Sequence, residues 1–338
     1  MDKKINAKNA CAVLCLAVLA ALPAGAEWSP EGNYFHLSHV HRGGGKVAMP
    51  DNTLDTFLWC WGNGSALECD CRMTKDGVGI MLHDPTLRRT GRGISLETAE
   101  KDVSRELSWA EIRDVDVGSY LKELNPAAPD CAHHRIPTIE AVFAAMKGRP
   151  SWLCMVDEKG AGPAFIAEKA KEADVEAQVY YTGPDPFKAR EWMRLLPGGK
   201  TMVWISVGKF PTSAHTPEEV ARADRFLWQR IADVEKAGFD AVSAVSLHTF
   251  YNPSAAEPFI PSSKALKKAL AVFHGHGIPV CSIPFEGGET EEAYMELRKL
   301  GFDAFSSDYP EVMFSAIRRC VGLPSVAGKG GSSAKEGQ

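Results

Sequence analysis

The sequence predicts an α/β fold, a closed (β/α)8 TIM barrel with a small cap inserted after the second strand. Three observations predict it. Short β-rich runs alternate with helical runs from residue 36 to 318. Eight such strands within about 250 residues match the size of a single barrel. A doubly wound open sheet, the other architecture built this way, would carry a Gly-rich dinucleotide turn after its first strand, and none is present.

The strands, in order, are FHLSHVH (35–41), ALECDCRM (66–73), WLCMVDEK (152–159), AQVYYT (177–182), TMVWIS (201–206), DAVSAVSL (240–247), IPVCSI (278–283) and DAFSSD (303–308). Helical spacing of apolar residues marks Thr138 to Met146, Pro163 to Ala173, Pro217 to Ala237, Lys264 to His274 and Glu289 to Leu300 between them. After the second strand, Lys75-Asp76-Gly77 is a hairpin signal, because Gly accepts the positive φ such turns need. The chain then doubles back through His83-Asp84 into a long excursion over about 86–135, with Pro126, Pro129 and a helical piece near Trp109–Val115. That excursion predicts a cap beside the barrel mouth.

The ends predict processing. Lys3, Lys4 and Lys8 precede an apolar run from Ala10 to Leu22, followed by Pro23 and Ala24-Gly25-Ala26. The run is shorter than the ~20 residues a spanning helix needs, and its small residues fit signal-peptide cleavage after Ala26. Residues 1–26 are therefore expected to direct export to the periplasm or medium, with no stable membrane insertion afterwards. The barrel domain is expected over 27–323, and the Gly- and Ser-rich end, 324–338, as a disordered tail. A charge of −5 on 338 residues removes the electrostatic case for a nucleic-acid partner. Of nine cysteines, Cys11 and Cys15 leave with the signal; the odd seven remaining require a free thiol. Cys69 and Cys71 read as buried fillers on the strand face opposite the carboxylates.

Barrels of this kind work from the C-terminal ends of their strands. His41-Arg42-Gly43 ends the first. Glu68 and Asp70 lie two apart on the second, so both face one way, and His83 returns opposite them. On the third, alternation puts Asp157 and Lys159 on one face and Glu158 on the other. Glu68, Asp70 and Asp157 suit a hard divalent cation, Ca²⁺ or Mg²⁺, as all-oxygen ligands. Arg42 and Lys159 suit phosphate, and His41 and His83 suit acid and base roles near neutral pH. The combination reads as metal-assisted phosphoester chemistry.

The motifs HRG, PDNT (50–53), ECD, TKDG and HD, in that order, resemble the glycerophosphodiester phosphodiesterase family, with its HRG, PENT, ExD, TKDG and HD. IPTIEAVF (136–143) is similar to its PTLEE, DEK (157–159) to its ExK and GFDAFSSDYP (301–310) to its GVDGIITDYP. The resemblance implies a TIM barrel that hydrolyses small glycerophosphodiesters to sn-glycerol 3-phosphate and an alcohol. It implies His41 and His83 as the acid/base pair, Glu68, Asp70 and Asp157 as metal ligands, and Arg42 and Lys159 on the phosphoryl oxygens. Two departures stand out. Asp51 replaces the family's Glu. Cys281–Pro284, CSIP, replaces its WTVN, whose Trp lies by the glycerol, and Glu286-Gly287-Gly288 follows. A smaller glycerol platform and tolerance of bulkier substrates are expected from that change.

Two other readings stay open. His39, His41, His248 and Asp308 could serve a zinc amidohydrolase barrel, although Ser206 and Val207 stand where that plan needs a histidine. A non-catalytic phosphodiester-binding barrel would have lost a catalytic type, but both histidines, Arg42 and Lys159 are present. His133-His134 and His274-Gly275-His276 read as structural.

Overall fold

Eight parallel strands close on themselves. The computed structural model describes residues 34–208, 215–285 and 288–322. The proposed signal segment, the tail and Glu286-Gly287 lie outside them. The barrel strands are β1 (His39–Val40), β2 (Ala66–Met73), β4 (Cys154–Glu158), β5 (Val179–Gly183), β6 (Lys200–Ile205), β7 (Ala244–Tyr251), β9 (Val280–Phe285) and β10 (Ala304–Ser307). Neighbours pair in sequence order, and β1 closes the ring by pairing with both β2 and β10. Two short strands lie off the ring: β3 (Gly79–Met81) is antiparallel to β2 and β8 (Phe259–Ile260) antiparallel to β7.

Helices follow the strands. They are α1 (Leu54–Gly62), then α2 to α5 in the cap (Leu96–Glu100, Val103–Glu106, Trp109–Ile112, Leu121–Leu124), then α6 (Ile139–Met146), α7 (Pro163–Ala173) and α8 (Pro186–Leu195). The ring is completed by α9 (Pro217–Ala237), α10 (Ser263–Gly275), α11 (Glu291–Leu300) and α12 (Pro310–Cys320). Their starts are written in the sequence. Thr53, Thr138 and Thr290 each accept a backbone N–H in the first turn, and Thr216 with Glu219 forms a capping box ahead of Pro217.

Alternation along each strand divides the apolar residues. One set faces outward, where Leu67, Cys69, Val156, Val203 and Val245 meet the helices in the main core. The other fills the barrel's floor: Tyr34, Leu37, Ala66, Met155, Tyr180, Met202, Ala244, Cys281 and Ala304. The cap has its own small core of Leu82, Leu87, Val103, Leu107, Ile112 and Val117 on Ile80 of β3. All seven described cysteines are free, and Cys69 and Cys71 are buried as fillers.

Two strands differ most from expectation. The run 35–41 keeps only His39–Val40 as strand, because Tyr34–Leu37 and His41–Gly43 form single 3₁₀ turns. The sixth barrel strand starts at Ala244 rather than 240 and runs on to Tyr251. Phe239–Ala241 is a 3₁₀ turn, and pairing with β8 extends the far end.

Candidate active site

The first strand delivers its histidine through an unusual turn. Arg42, Gly43 and Gly45 all have positive φ (53°, 73° and 64°). A Cβ on Gly45 would lie 2.3 Å from the Asp308 carbonyl oxygen, so the turn closes on the β10 end only with glycine there. The closure sets His41 Nδ1 2.6 Å from Asp308 Oδ1, while His41 Nε2 lies 3.9 Å from Glu68 Oε2. Asp308 is held in turn. Lys46 Nζ lies 3.0 Å from its other oxygen, and its backbone N–H donates to Glu289, which also accepts from the Ser307 hydroxyl. Burial opposes a charge on His41, but the hydrogen bond to Asp308 and the charges of Glu68 and Asp308 win and raise it to about 9. Burial also opposes the Asp308 charge, yet His41 and Lys46 bring it down to about 2. The pair is an ion pair at neutral pH.

Glu68, Asp70 and Asp157 point inward from β2 and β4, where Asp70 and Asp157 are register partners. One oxygen from each lies within 4.8 Å of the others. Glu68 accepts the Arg42 backbone N–H at 2.8 Å, and Asn52 Nδ2 donates to Asp70 at 2.8 Å. Burial first, then the Asp70 charge, pushes Glu68 up to about 8. Burial likewise raises Asp157. Three crowded, dehydrated carboxylates offering only oxygen fit a hard divalent cation. Lys159 Nζ, 2.7 Å from Asp157 and 3.6 Å from Asp70, sits beside them. Glu158 turns away as alternation requires. It accepts the Gly162 backbone N–H and pairs with Lys188 at 3.3 Å.

The hairpin brings His83 to the same mouth, and its Nδ1 lies 2.6 Å from Asp84 Oδ1. An ionic chain runs on from there. Arg89 binds Asp84 (2.6 Å) and Asp51 (2.8 Å), and Asp51 binds Arg42 (3.0 Å). Asp51 thus meets two guanidiniums at once, and its backbone N–H donates to the Tyr120 hydroxyl in the cap.

A cavity of about 210 Å³ opens between the two histidines, lined by His41, Glu68, His83, Asp157 and Lys159 on one side. The other side is aromatic. His248 stacks on Trp204 with centroids 5.3 Å apart and meets the Phe285 edge at 4.8 Å. Burial drives His248 down to about 3 and His39 to about 4, so both are neutral. Beyond His41 lies a second opening of about 350 Å³, bounded by Arg42, Lys46, Arg89, Tyr120 and Tyr309.

All seven residues singled out from the sequence meet at this mouth. The expectation for Cys281 does not hold. It is fully buried in the floor cluster, and the same strand brings Ile283 and Phe285, two and four residues on, to the mouth. The platform is therefore not reduced to a thiol. Sequence reasoning missed the working neighbourhood of Asp308, although the segment 301–310 carries a family motif, and it missed Asp84, Arg89 and Trp204 as parts of the site.

Residues 41–175 match the model of the glycerophosphoryl diester phosphodiesterase family. Over that stretch the chain is similar to that family. A glycerophosphodiester phosphodiesterase from Caldanaerobacter subterraneus subsp. tengcongensis is 30% identical over 165 residues, 47% of this chain and 62% of that protein. One from Bacillus subtilis is 29% identical over 138 residues, 39% of this chain and 44% of that protein. The chain thus spans about half the length of these relatives, and residues 41–175 hold the motifs from HRG to ExK. Two solved structures illustrate the shared fold. A glycerophosphoryl diester phosphodiesterase from Parabacteroides distasonis has a TM-score of 0.57 at 19% identity, covering 87% of this chain and 89% of that one. An Oleispira antarctica phosphodiesterase, in complex with the product sn-glycerol-3-phosphate, has a TM-score of 0.57 at 18% identity, covering 83% and 96%.

Proposed function

We propose that this phosphodiesterase-family barrel hydrolyses glycerophosphodiesters to sn-glycerol 3-phosphate and an alcohol, with His41 and His83 as acid and base. The observation that carries the reading is the pair of histidine–carboxylate couples, His41–Asp308 and His83–Asp84, set around one carboxylate triad. Each Nδ1 is tied to its carboxylate, which leaves Nε2 of each ring for proton transfer. A glycerol hydroxyl next to the ester attacks phosphorus within the same molecule, which removes much of the entropic barrier. One histidine takes that proton and the other gives one to the departing alcohol. Water then opens the cyclic phosphate, the histidines exchange roles, and both end as they began.

Glu68, Asp70 and Asp157 would hold a divalent cation, Ca²⁺ or Mg²⁺, which supplies positive charge to the phosphoryl oxygens. Arg42 and Lys159 add to that charge from either side of the triad. Arg42 is oriented for this by Asp51, and Lys159 by Asp157 and Asp70. The neutral Trp204–His248–Phe285 wall excludes water from the opposite side. Two further imidazoles within the barrel, His39 and His248, are the material of a zinc plan, but His41 is engaged by Asp308 and the triad is carboxylate only, which favours the oxygen-bound cation.

Export is part of the same proposal, supported by the lysines and short apolar run before Ala26. No helix among the described residues is long and apolar enough to cross a membrane. Release of glycerol 3-phosphate from a panel of glycerophosphodiesters, with and without chelator, tests the activity. Full turnover after exhaustive chelation, or none on any member with Ca²⁺ or Mg²⁺ added, overturns it. Sequencing the N-terminus of the secreted protein tests the cleavage after Ala26.

A further inference from the structure

One cluster of ligating side chains lies outside the chemistry above. Asp55 stands in the first turn of α1, and His133-His134 close the cap excursion. A carboxylate oxygen and one ring nitrogen from each histidine lie within 4.8 Å of one another. His134 is 2% exposed, so it is the fixed member, while Asp55 and His133 are on the surface and free to turn. The two rings meet edge to face, 4.7 Å between centroids.

The hydrogen bonds around His134 settle where its proton sits. Its Nδ1 lies 2.7 Å from Thr53 Oγ1. The Thr56 hydroxyl donates to the Pro50 carbonyl at 2.8 Å, so the Thr53 hydroxyl donates to Thr56 at 2.9 Å. Thr53 then has only lone pairs left for His134. The ring proton is on Nδ1, and Nε2 keeps a free lone pair. An imidazole whose second nitrogen donates to a buried partner is the arrangement seen around metal-bound histidines, where it fixes the tautomer and orientation.

We propose that Asp55, His133 and His134 bind a zinc-class divalent cation that clips the cap to the barrel. Two imidazoles and one carboxylate suit Zn²⁺ far better than Ca²⁺ or Mg²⁺, and a water would complete four-coordination. Zinc bonds of about 2.0–2.1 Å bring ligand atoms to about 3.4 Å apart in a tetrahedron. Rotation of the exposed Asp55 and His133 side chains toward His134 closes that difference. The clip joins α1, which follows the HRG turn, to the excursion that carries Tyr120 and Arg89 over the mouth. It is separate from the Glu68–Asp70–Asp157 triad and does not depend on the reaction proposed there.

The experiment uses the full mature chain with excess Ca²⁺ present to fill the oxygen site. Zn²⁺ is titrated calorimetrically, bound zinc is counted after dialysis, and thermal midpoints are measured with and without zinc. The expected result is one Zn²⁺ per chain and a zinc-dependent rise in midpoint. In Asp55→Asn and His133→Ala the zinc Kd rises at least about tenfold and the midpoint gain disappears, while phosphodiester turnover in Ca²⁺ stays at the wild-type level. Both positions are exposed, so both variants fold. No zinc uptake, equal uptake in wild type and variants, or uptake lost only in Glu68→Gln overturns the proposal.

Discussion

Replacing Asp308 with asparagine tests the proposed acid/base pair through the carboxylate that holds His41. The amide keeps the shape of the carboxylate and its oxygen can still accept the hydrogen bond from Nδ1, while the backbone stays fixed by Glu289. What disappears is the charge 2.6 Å from the His41 ring. A hydrogen bond between charged partners contributes about 1.5–3 kcal/mol, and one pKa unit corresponds to about 1.36 kcal/mol. The His41 value, raised to about 9 in the intact site, should therefore fall by roughly one to two units. A lower value moves whichever limb of the pH–rate profile His41 controls toward acid, whether the ring acts as acid or base. Turnover at the optimum should also drop on the order of 10²-fold, the usual size of a general acid/base contribution. The assay is kcat and kcat/KM across the pH range for Asp308→Asn beside wild type, with folding checked by circular dichroism. An unmoved profile with unchanged kcat would refute the reasoning, since Asp308 would then be only a structural anchor for the HRG turn.

His41→Ala and His83→Ala should each lower kcat on the order of 10²-fold or more on an alkyl-alcohol diester, with a smaller loss on a diester whose leaving group needs no proton; near wild-type turnover in either variant removes that histidine from the mechanism. Asp157→Asn should weaken cation affinity by more than about tenfold, whereas Glu158→Gln, which loses only the half-exposed pairing with Lys188, should cost under about 1 kcal/mol of stability; the reverse ranking in a metal titration counts against Asp157 as a ligand. In cation-free protein the folded value of Glu68, about 8, lies above its unfolded value of about 4.3. Its contribution to stability is thus complete below the unfolded value and lost as pH rises through the folded one. The gain in melting temperature on adding Ca²⁺ should therefore grow between about pH 5 and 8, and a flat gain by differential scanning fluorimetry contradicts this. Trp204→Ala opens the aromatic wall and should raise KM more than it lowers kcat; unchanged steady-state constants across the substrate panel would show that this wall does not touch substrate.

Much of this architecture was legible because it follows from local periodicity. β2, α7 and α9 have the boundaries read from the sequence, since each is bracketed by a strong turn, proline or cap signal. Strand alternation alone placed Asp157 on the face of Lys159 and turned Glu158 away. The misread parts depend on distant partners. β7 runs past residue 247 because β8 pairs with it. Cys281 was aligned by motif with a mouth residue, yet the depth of a residue in a barrel depends on stagger between strands, which no single strand encodes. Asp308 looked like a zinc ligand while its partner was unknown. Its meaning came from the Gly45 turn, which brings the first strand's histidine against the last strand's end across the whole length of the chain.

The packed floor has a kinetic consequence. Tyr34, Met155, Tyr180, Met202 and Cys281 seal the lower end, so the barrel is a blind well rather than a passage. Whatever enters the mouth must leave by the mouth. The alcohol half, released first by the chemistry proposed, departs over the cap, while the phosphate half stays deepest, beside the triad and Lys159. Substrate cannot be seated until that fragment has gone back out past the same side chains. Glycerol 3-phosphate should accordingly compete directly with substrate in initial-rate experiments, and the alcohol should not.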